Sequence, residues 1–150
     1  MDTRFSVAIH ALTMISEERD RELSSQDLAV SVGTNASHIR RVIGQVKAAG
    51  LIESSRGRSG YRLTRLPSDI SLLDIYRAVQ GVDRVLLFHA HPNPNEECPV
   101  GRHIESALRP VFADVERQLE ESLAAHSLED VIDNLYSQAH RSRPERINAR

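Results

Sequence analysis

Residues 89–103, HAHPNPNEECPVGRH, gather groups that could do chemistry: Cys98, the one cysteine of the chain, with His89, His91, His103 and the adjacent Glu96 and Glu97. Thiolate and imidazole together suit zinc, but no pair here has a zinc-finger spacing, so no metal is expected. Iron–sulfur clusters take thiolate sulfur, and this chain supplies one. A redox thiol has a clearer mechanism. Pro99 follows Cys98, and proline favours the first position of a helix. Cys98 then stands at or near the N-cap, where helix N–H dipoles stabilise a thiolate. His89, His91, Arg102 and His103 add positive charge, and Glu96 and Glu97 oppose it. Cys98 is therefore a candidate redox-sensing residue, with an inert loop cysteine as the alternative. Without a second cysteine, its reversible products are a sulfenic acid, a mixed disulfide with a small thiol, or a bridge to Cys98 of a second copy of the chain.

A second constellation is basic. Residues 36–65 hold Arg40, Arg41, Lys47, Arg56, Arg58, Arg62 and Arg65 against one acid, Glu53, although the whole chain carries −2. Residues 66–150 carry nine arginines against fourteen acids. A basic patch on an otherwise acidic chain is the electrostatic footprint of a polyanion partner.

The elements that must position these groups are mostly helical. Phe5, Ile9, Leu12 and Ile15 recur at helical spacing. Ser24, with Asp27 three residues on, opens a second helix that Gly33 stops. After the turn Thr34-Asn35-Ala36, a third helix buries Ile39, Val42, Ile43 and Val46 and ends at Gly50. LIESS and YRLT alternate as strands around the turn RGRSG. Ser71 and Gly81 bracket a fourth helix, and the two X-Pro steps that follow predict a loop. From Pro99, Ile104, Leu108, Val111, Val115 and Leu119 form a heptad-like seam. Pro110 within it predicts either a kink or a restart. Ser127 caps a last helix, with Asp130 at its third position.

Helix, helix, turn, helix and hairpin make a winged helix. The fold class expected is mainly α: a winged helix-turn-helix with a two-stranded wing and a long dimerisation helix. The third helix can enter the major groove of duplex DNA, where arginine pairs with guanine. Its candidates are Ser37, His38, Arg40 and Arg41. Ser25 and Gln26 open the second helix, where unpaired N–H groups can face phosphates. Arg56 and Arg58 flank the wing glycine and suit the backbone or minor groove. A winged helix used only for protein contacts is the alternative.

The segment IRRVIGQVKAAGLIESSRGRSGYRLTR resembles the signature of the IscR, NsrR and CymR regulators, the Rrf-two family. The likeness rests on AGL at 49–51, RG at 56–57 and GY with Leu63 at 60–63. It extends over roughly residues 3–135. It implies a bacterial dimeric transcription regulator whose long helix pairs with its twin. Two departures stand out. Ser59-Gly60 replaces the Gly-Gly of many relatives. Arg40 stands where several have an acidic residue, so no operator sequence carries over. Cluster-binding members have three cysteines in the loop, and this chain is a single-cysteine member.

The resulting reading is a dimeric DNA-binding regulator, expected to repress, on a palindromic operator. It is thiol-responsive through Cys98, with control by a protein partner, small molecule, metal or cluster as alternatives and the effector left open. Residues 1–66 are read as the winged-helix domain, 67–98 as a connecting helix and sensor loop, 99–138 as dimerisation helices and 139–150 as a disordered tail. Truncation before Pro99 is then expected to leave a winged-helix monomer. No cofactor is expected. No phosphate loop, nucleophile elbow or HExxH is present, so no enzyme and no catalytic residue is expected. One cysteine and the lack of a signal peptide or apolar span point to the cytoplasm, with no membrane contact.

Overall fold

The computed structural model describes residues 2–55 and 60–140. Arg56 and Arg58 at the wing tip, and the tail from residue 141, lie outside the described residues. The elements run α1 (Arg4–Glu17), α2 (Ser25–Val32), α3 (Ala36–Ala48), β1 (Ile52–Ser54), β2 (Tyr61–Leu63), a short 3-10 turn (Pro67–Asp69), α4 (Leu72–Gln80), α5 (Pro99–Ala125) and α6 (Leu128–Gln138).

The helix starts follow from local chemistry. Ser24, Ser71 and Ser127 each accept the backbone N–H of the third helical residue, an aspartate whose carboxylate returns a bond to the cap. These reciprocal boxes satisfy two orphan donors at each helix start. Gly33 and Gly81 end α2 and α4 in the left-handed conformation, which glycine adopts without a Cβ clash. The two strands pair antiparallel, with Ile52 opposite Leu63, Glu53 opposite Arg62 and Ser54 opposite Tyr61.

The core is aliphatic. Ala8, Leu12, Leu28, Ile39, Val42 and Val46 of the first three helices pack with Ile52 of the wing and with Ile70, Ile75 and Val79 around α4. The hairpin closes one side through Leu51 and Ile52, which lie inside. Two segments set apart from the winged helix on sequence enter the same core. One is α4. The other is α6, grouped by its position with the dimerisation helices, whose Leu128 and Ile132 are fully buried against α1 and the 3-10 turn. The amphipathic period shows that α6 buries one face, but a period does not name the partner.

α5 is different. It runs unbroken through Pro110 over 27 residues and buries only Glu116. Pro110 has no N–H to offer the carbonyl of Ser106, yet the helix does not restart. Of the seam, Val111 and Val115 are exposed, and Ile104, Leu108 and Leu119 are half-buried. Residues 82–98 form a loop that returns along α5. Glu116 Oε1 accepts the backbone N–H groups of Leu87 at 2.6 Å and Phe88 at 3.0 Å, and Glu120 accepts that of Val85 at 2.7 Å. Phe88 lies on Phe112 with ring centroids 5.1 Å apart. Among the described residues no helix is long and apolar enough to cross a membrane.

Candidate nucleic-acid interface

α3 carries the clearest division of faces. Ile39, Val42, Ile43 and Val46 are buried, while Ser37, Arg40 and Arg41 are exposed and His38 is half-buried. Asn35 caps the helix by accepting the His38 N–H at 2.8 Å. The first turn of α3 holds no acidic residue, so its positive dipole end is not neutralised by a carboxylate. α2 differs here: Asp27 sits in its first turn, ion-paired to Arg21 at 2.9 Å. Ser24, through its hydroxyl and backbone N–H, and then Arg21 hold that carboxyl below its ordinary range. A phosphate approaching Ser25 and Gln26 meets this anion, whereas one approaching Ser37 does not.

The basic residues also separate. Arg62 pairs with Glu53 across the hairpin at 2.5 Å, and Arg65 approaches Asp74 at 4.0 Å. Lys47 donates to Ser54 Oγ at 2.7 Å, tying α3 to the wing. Arg40 donates to Ser37 Oγ at 3.1 Å. Among the described residues neither Arg40 nor Arg41 has a carboxylate within ion-pair distance, and both lie on the outer face of α3. Ser25 Oγ lies 3.5 Å from Tyr61 Oη, joining the start of α2 to the wing. Gln26 is exposed beside it. The structure thus brings Ser25, Tyr61 and Gly60 to one edge and Ser37, Arg40 and Arg41 to one helix face. The sequence marks Asn35 only as a turn residue and Tyr61 only as part of the family signature, not as a member of the interface. An Asn three residues before a backbone N–H at a helix start is the signal for the first.

Cys98 is exposed and is the N-cap of α5, with Pro99 at the first helical position. It makes no side-chain cap hydrogen bond by geometry. The N–H groups of Gly101 and Val100 nevertheless face it and hold its thiol below the ordinary value. The loop folds tightly here: Asn95 accepts the Cys98 N–H, and Arg102 donates to the Glu96 carbonyl. A Cβ on Gly101 would overlap the Asn95 carbonyl oxygen, so only glycine fits. His89, His91 and His103 are all exposed.

The chain was compared with known proteins. The model of the Rrf2 family, described as an iron-dependent transcriptional regulator, matches residues 1–134. The "Putative HTH-type transcriptional regulator YwnA" of Bacillus subtilis (strain 168) is 44% identical over 136 residues, covering 91% of this chain and 99% of that protein. A solved structure described as "a putative DNA binding protein" is 42% identical, with a TM-score of 0.70 over 86% of this chain and 98% of the other. The structure of T. potens IscR, at 22% identity, shares the fold with a TM-score of 0.68 over 95% of this chain and 92% of the other. The family model, the Bacillus subtilis relative and the 42%-identical structure are described as regulators or as a DNA-binding protein, none as an enzyme.

The iron of the family description can be tested against these residues. A cluster wants several thiolates, and the chain has one cysteine. Among the described residues no three His, Cys, Asp or Glu side chains converge where a metal could sit. The residues of one chain do not fit an iron centre. The winged-helix order, the exposed face of α3 and the match over residues 1–134 agree: this chain belongs to the Rrf2 family of transcriptional regulators.

Proposed function

We propose that the chain is a homodimeric repressor that binds a palindromic operator in the cytoplasm, with α3 in the major groove. The observation that carries this reading is the outer face of α3, where Arg40 and Arg41 are exposed with no carboxylate partner among the described residues, while the opposite face is buried. Arg40, Arg41, Ser37 and His38 then address bases and nearby phosphates. Ser25 and Gln26 approach the flanking backbone, and Arg56 and Arg58 belong to the wing contact. Residues 1–66 read DNA, 67–98 form the connecting helix and sensor loop, and α5 within 99–138 is the dimer seam.

Dimerisation is supported by α5 itself. A 27-residue helix that buries one residue, and exposes Val100, Val111 and Val115, leaves an apolar stripe that a two-fold copy would cover. Two recognition helices so related would enter successive major grooves about 34 Å apart. The exposure of Cys98 and its position at the start of α5 support a thiol-responsive role. The experiment is binding of the chain to its own promoter DNA against random duplex at physiological salt. A preference for the promoter is expected, and equal affinities would overturn the reading.

A further inference from the structure

Between residues 86–94 of the loop and residues 105–116 of α5 lies a cleft that DNA binding leaves unused. Its volume is about 500 Å³, within the range of about 300–1,000 Å³ usual for small-molecule sites. The floor is apolar. Phe88 and Phe112 lie with ring centroids 5.1 Å apart and planes at 33°, and Leu86 and Leu108 line the cleft beside them. Phe88 is 44% exposed and Leu86 60%, so part of this apolar surface is open to an incoming ring.

The cleft is held in shape by the chain itself. Pro92 and Pro94 form part of its wall, with φ fixed by their rings. Asn93 between them takes the left-handed conformation, φ 56°, which asparagine visits more readily than most residues. Glu116 keeps the loop on α5 through the Leu87 and Phe88 N–H groups. The charges that line the cleft are already matched. Arg109 pairs with Glu105 at 2.8 Å, and the Glu116 carboxylate is spent on those two N–H groups. A charged ligand would displace one of these partners or stay unpaired against an apolar floor, which is costly. His89 and His91 are exposed at the same cleft, and imidazole nitrogens can donate to or accept from a hydroxyl or carbonyl. Ring faces below, imidazoles at the rim and no spare charge select an uncharged, planar aromatic molecule.

We propose that the cleft between the loop and α5 is an effector site for an uncharged aromatic molecule bearing a hydroxyl or carbonyl, of the phenol or quinone class. The regulatory half of this inference rests on the DNA-binding reading. Leu108 belongs both to the cleft and to the seam of α5. In the proposed dimer, a ring seated between Phe88, Leu108 and Phe112 changes how the two α5 helices meet. The spacing of the two α3 helices, which a palindrome fixes, changes with it.

The test uses the full chain and the probe 2-naphthol, with 2-naphthoate and 2-naphthylmethylamine as its charged counterparts. The chain has no tryptophan, so naphthalene fluorescence reports binding without interference. The neutral probe should bind about tenfold tighter than either charged one. Phe112→Ala, which removes part of the floor, and Ala113→Phe, which fills the cleft from an exposed helix position, should each weaken it about tenfold. Ala113→Phe decides the matter even if Phe112→Ala loosens the loop. Leu135→Glu, in the separate groove between α1 and α6, should leave the affinity unchanged. Saturating 2-naphthol should shift affinity for the promoter duplex by about fivefold or more, and the duplex should shift naphthol affinity by the same factor. Binding that ignores Ala113→Phe but is lost in Leu135→Glu overturns the site. Tighter binding of a charged probe overturns the ligand class. Naphthol binding to the Val115→Asp variant but not to the wild type would assign the cleft to a second copy of the chain and overturns the proposal. Binding with unchanged promoter affinity overturns the effector role. A wild type without promoter preference removes the operator reading, and the naphthol affinities of the variants still decide the cleft.

Discussion

Ser71 and Ser127, the N-caps of α4 and α6, face each other across an antiparallel bridge. The Leu72 N–H donates to the His126 carbonyl and the Leu128 N–H to the Ile70 carbonyl, both at 2.8 Å. Each serine also closes a capping box on its own helix. Two helix starts are thereby stapled together, and α6 is held on the winged helix although 27 residues of α5 separate it from the loop before it.

Removing α6 side chains should therefore destabilise the DNA-binding body and not only the far half of the chain. Leu128→Ala or Ile132→Ala should each cost about 2–5 kcal/mol, the range for deleting a buried aliphatic side chain. Ending the chain before Pro99 removes both, so the truncated protein should unfold at much lower urea rather than persist as a stable winged-helix monomer. Urea unfolding followed by circular dichroism measures this. An unchanged midpoint for both single variants would mean that α6 is only loosely attached.

Much of this fold is legible in the sequence because its signals are local. A serine followed three residues later by aspartate marks α2, α4 and α6, and all three boxes form. The buried stripe of α3 and the turns at Gly33 and Gly81 are equally local. What sequence does not carry is the partner of an amphipathic face. The stripes of α5 and α6 look alike, yet Ile132 is buried and Val111 is exposed. The clasp of Glu116 on Leu87 and Phe88 joins a side chain to backbone N–H groups 29 and 28 residues away, and backbone donors leave no mark in a sequence. In the candidate interface, the charge count does not say which cation Glu53 matches; it is Arg62, set opposite it once the strands pair in register.

The exposed face of α3 should set sequence preference. Arg40→Ala should cost about 1–3 kcal/mol on the cognate base pair and relax discrimination there, if its guanidinium leaves Ser37 to reach a base edge. A variant binding series over single base changes in the operator reads this directly. Uniform weakening across all sequences would reassign Arg40 to a phosphate. Arg58→Ala should instead weaken binding evenly and make the salt slope shallower by about 1.

Glu116 should hold the loop against α5 only while charged. The N–H groups of Phe88 and then Leu87 keep its carboxyl below the ordinary value, helped by His89. A pKa lower in the folded state means that the clasp adds stability above the ordinary carboxylate range. It loses that contribution as pH falls through the lowered value. Glu116→Ala should speed hydrogen exchange at the amides of Leu87 and Phe88 at neutral pH, and acid should do the same in the wild type. Equal exchange in both proteins at neutral pH would show that the loop is held by Phe88 on Phe112 instead.

The seam of α5 should govern assembly without governing the fold. Val115→Asp places a charge on a residue that is 45% exposed in the single chain, so the folded body should survive with an unchanged helical spectrum. Sedimentation should then report a monomer for the variant and a dimer for the wild type. Affinity for a two-half-site duplex should fall by about 10²–10⁴, the avidity lost when two linked sites become separate. A variant that stays dimeric would move the interface to another face, such as the groove between α1 and α6.

Cys98 should react faster than an ordinary thiol. The N–H groups of Gly101 and Val100 lower its pKa, so more thiolate is present at neutral pH and alkylation should reach half its maximal rate at a lower pH than in a model peptide. With peroxide, the thiolate sulfur attacks one oxygen and hydroxide leaves, giving a sulfenic acid that a small thiol can convert to a mixed disulfide with loss of water. Either product adds bulk to an exposed side chain at the start of α5. In the proposed dimer, a shift of the loop against α5 would change the relation between the two winged helices, which a fixed half-site spacing does not tolerate. DNA affinity should therefore fall on mild oxidation of the wild type and recover with reductant, while Cys98→Ser stays constant throughout. Equal affinity of wild type and variant before and after peroxide would make Cys98 an inert loop residue.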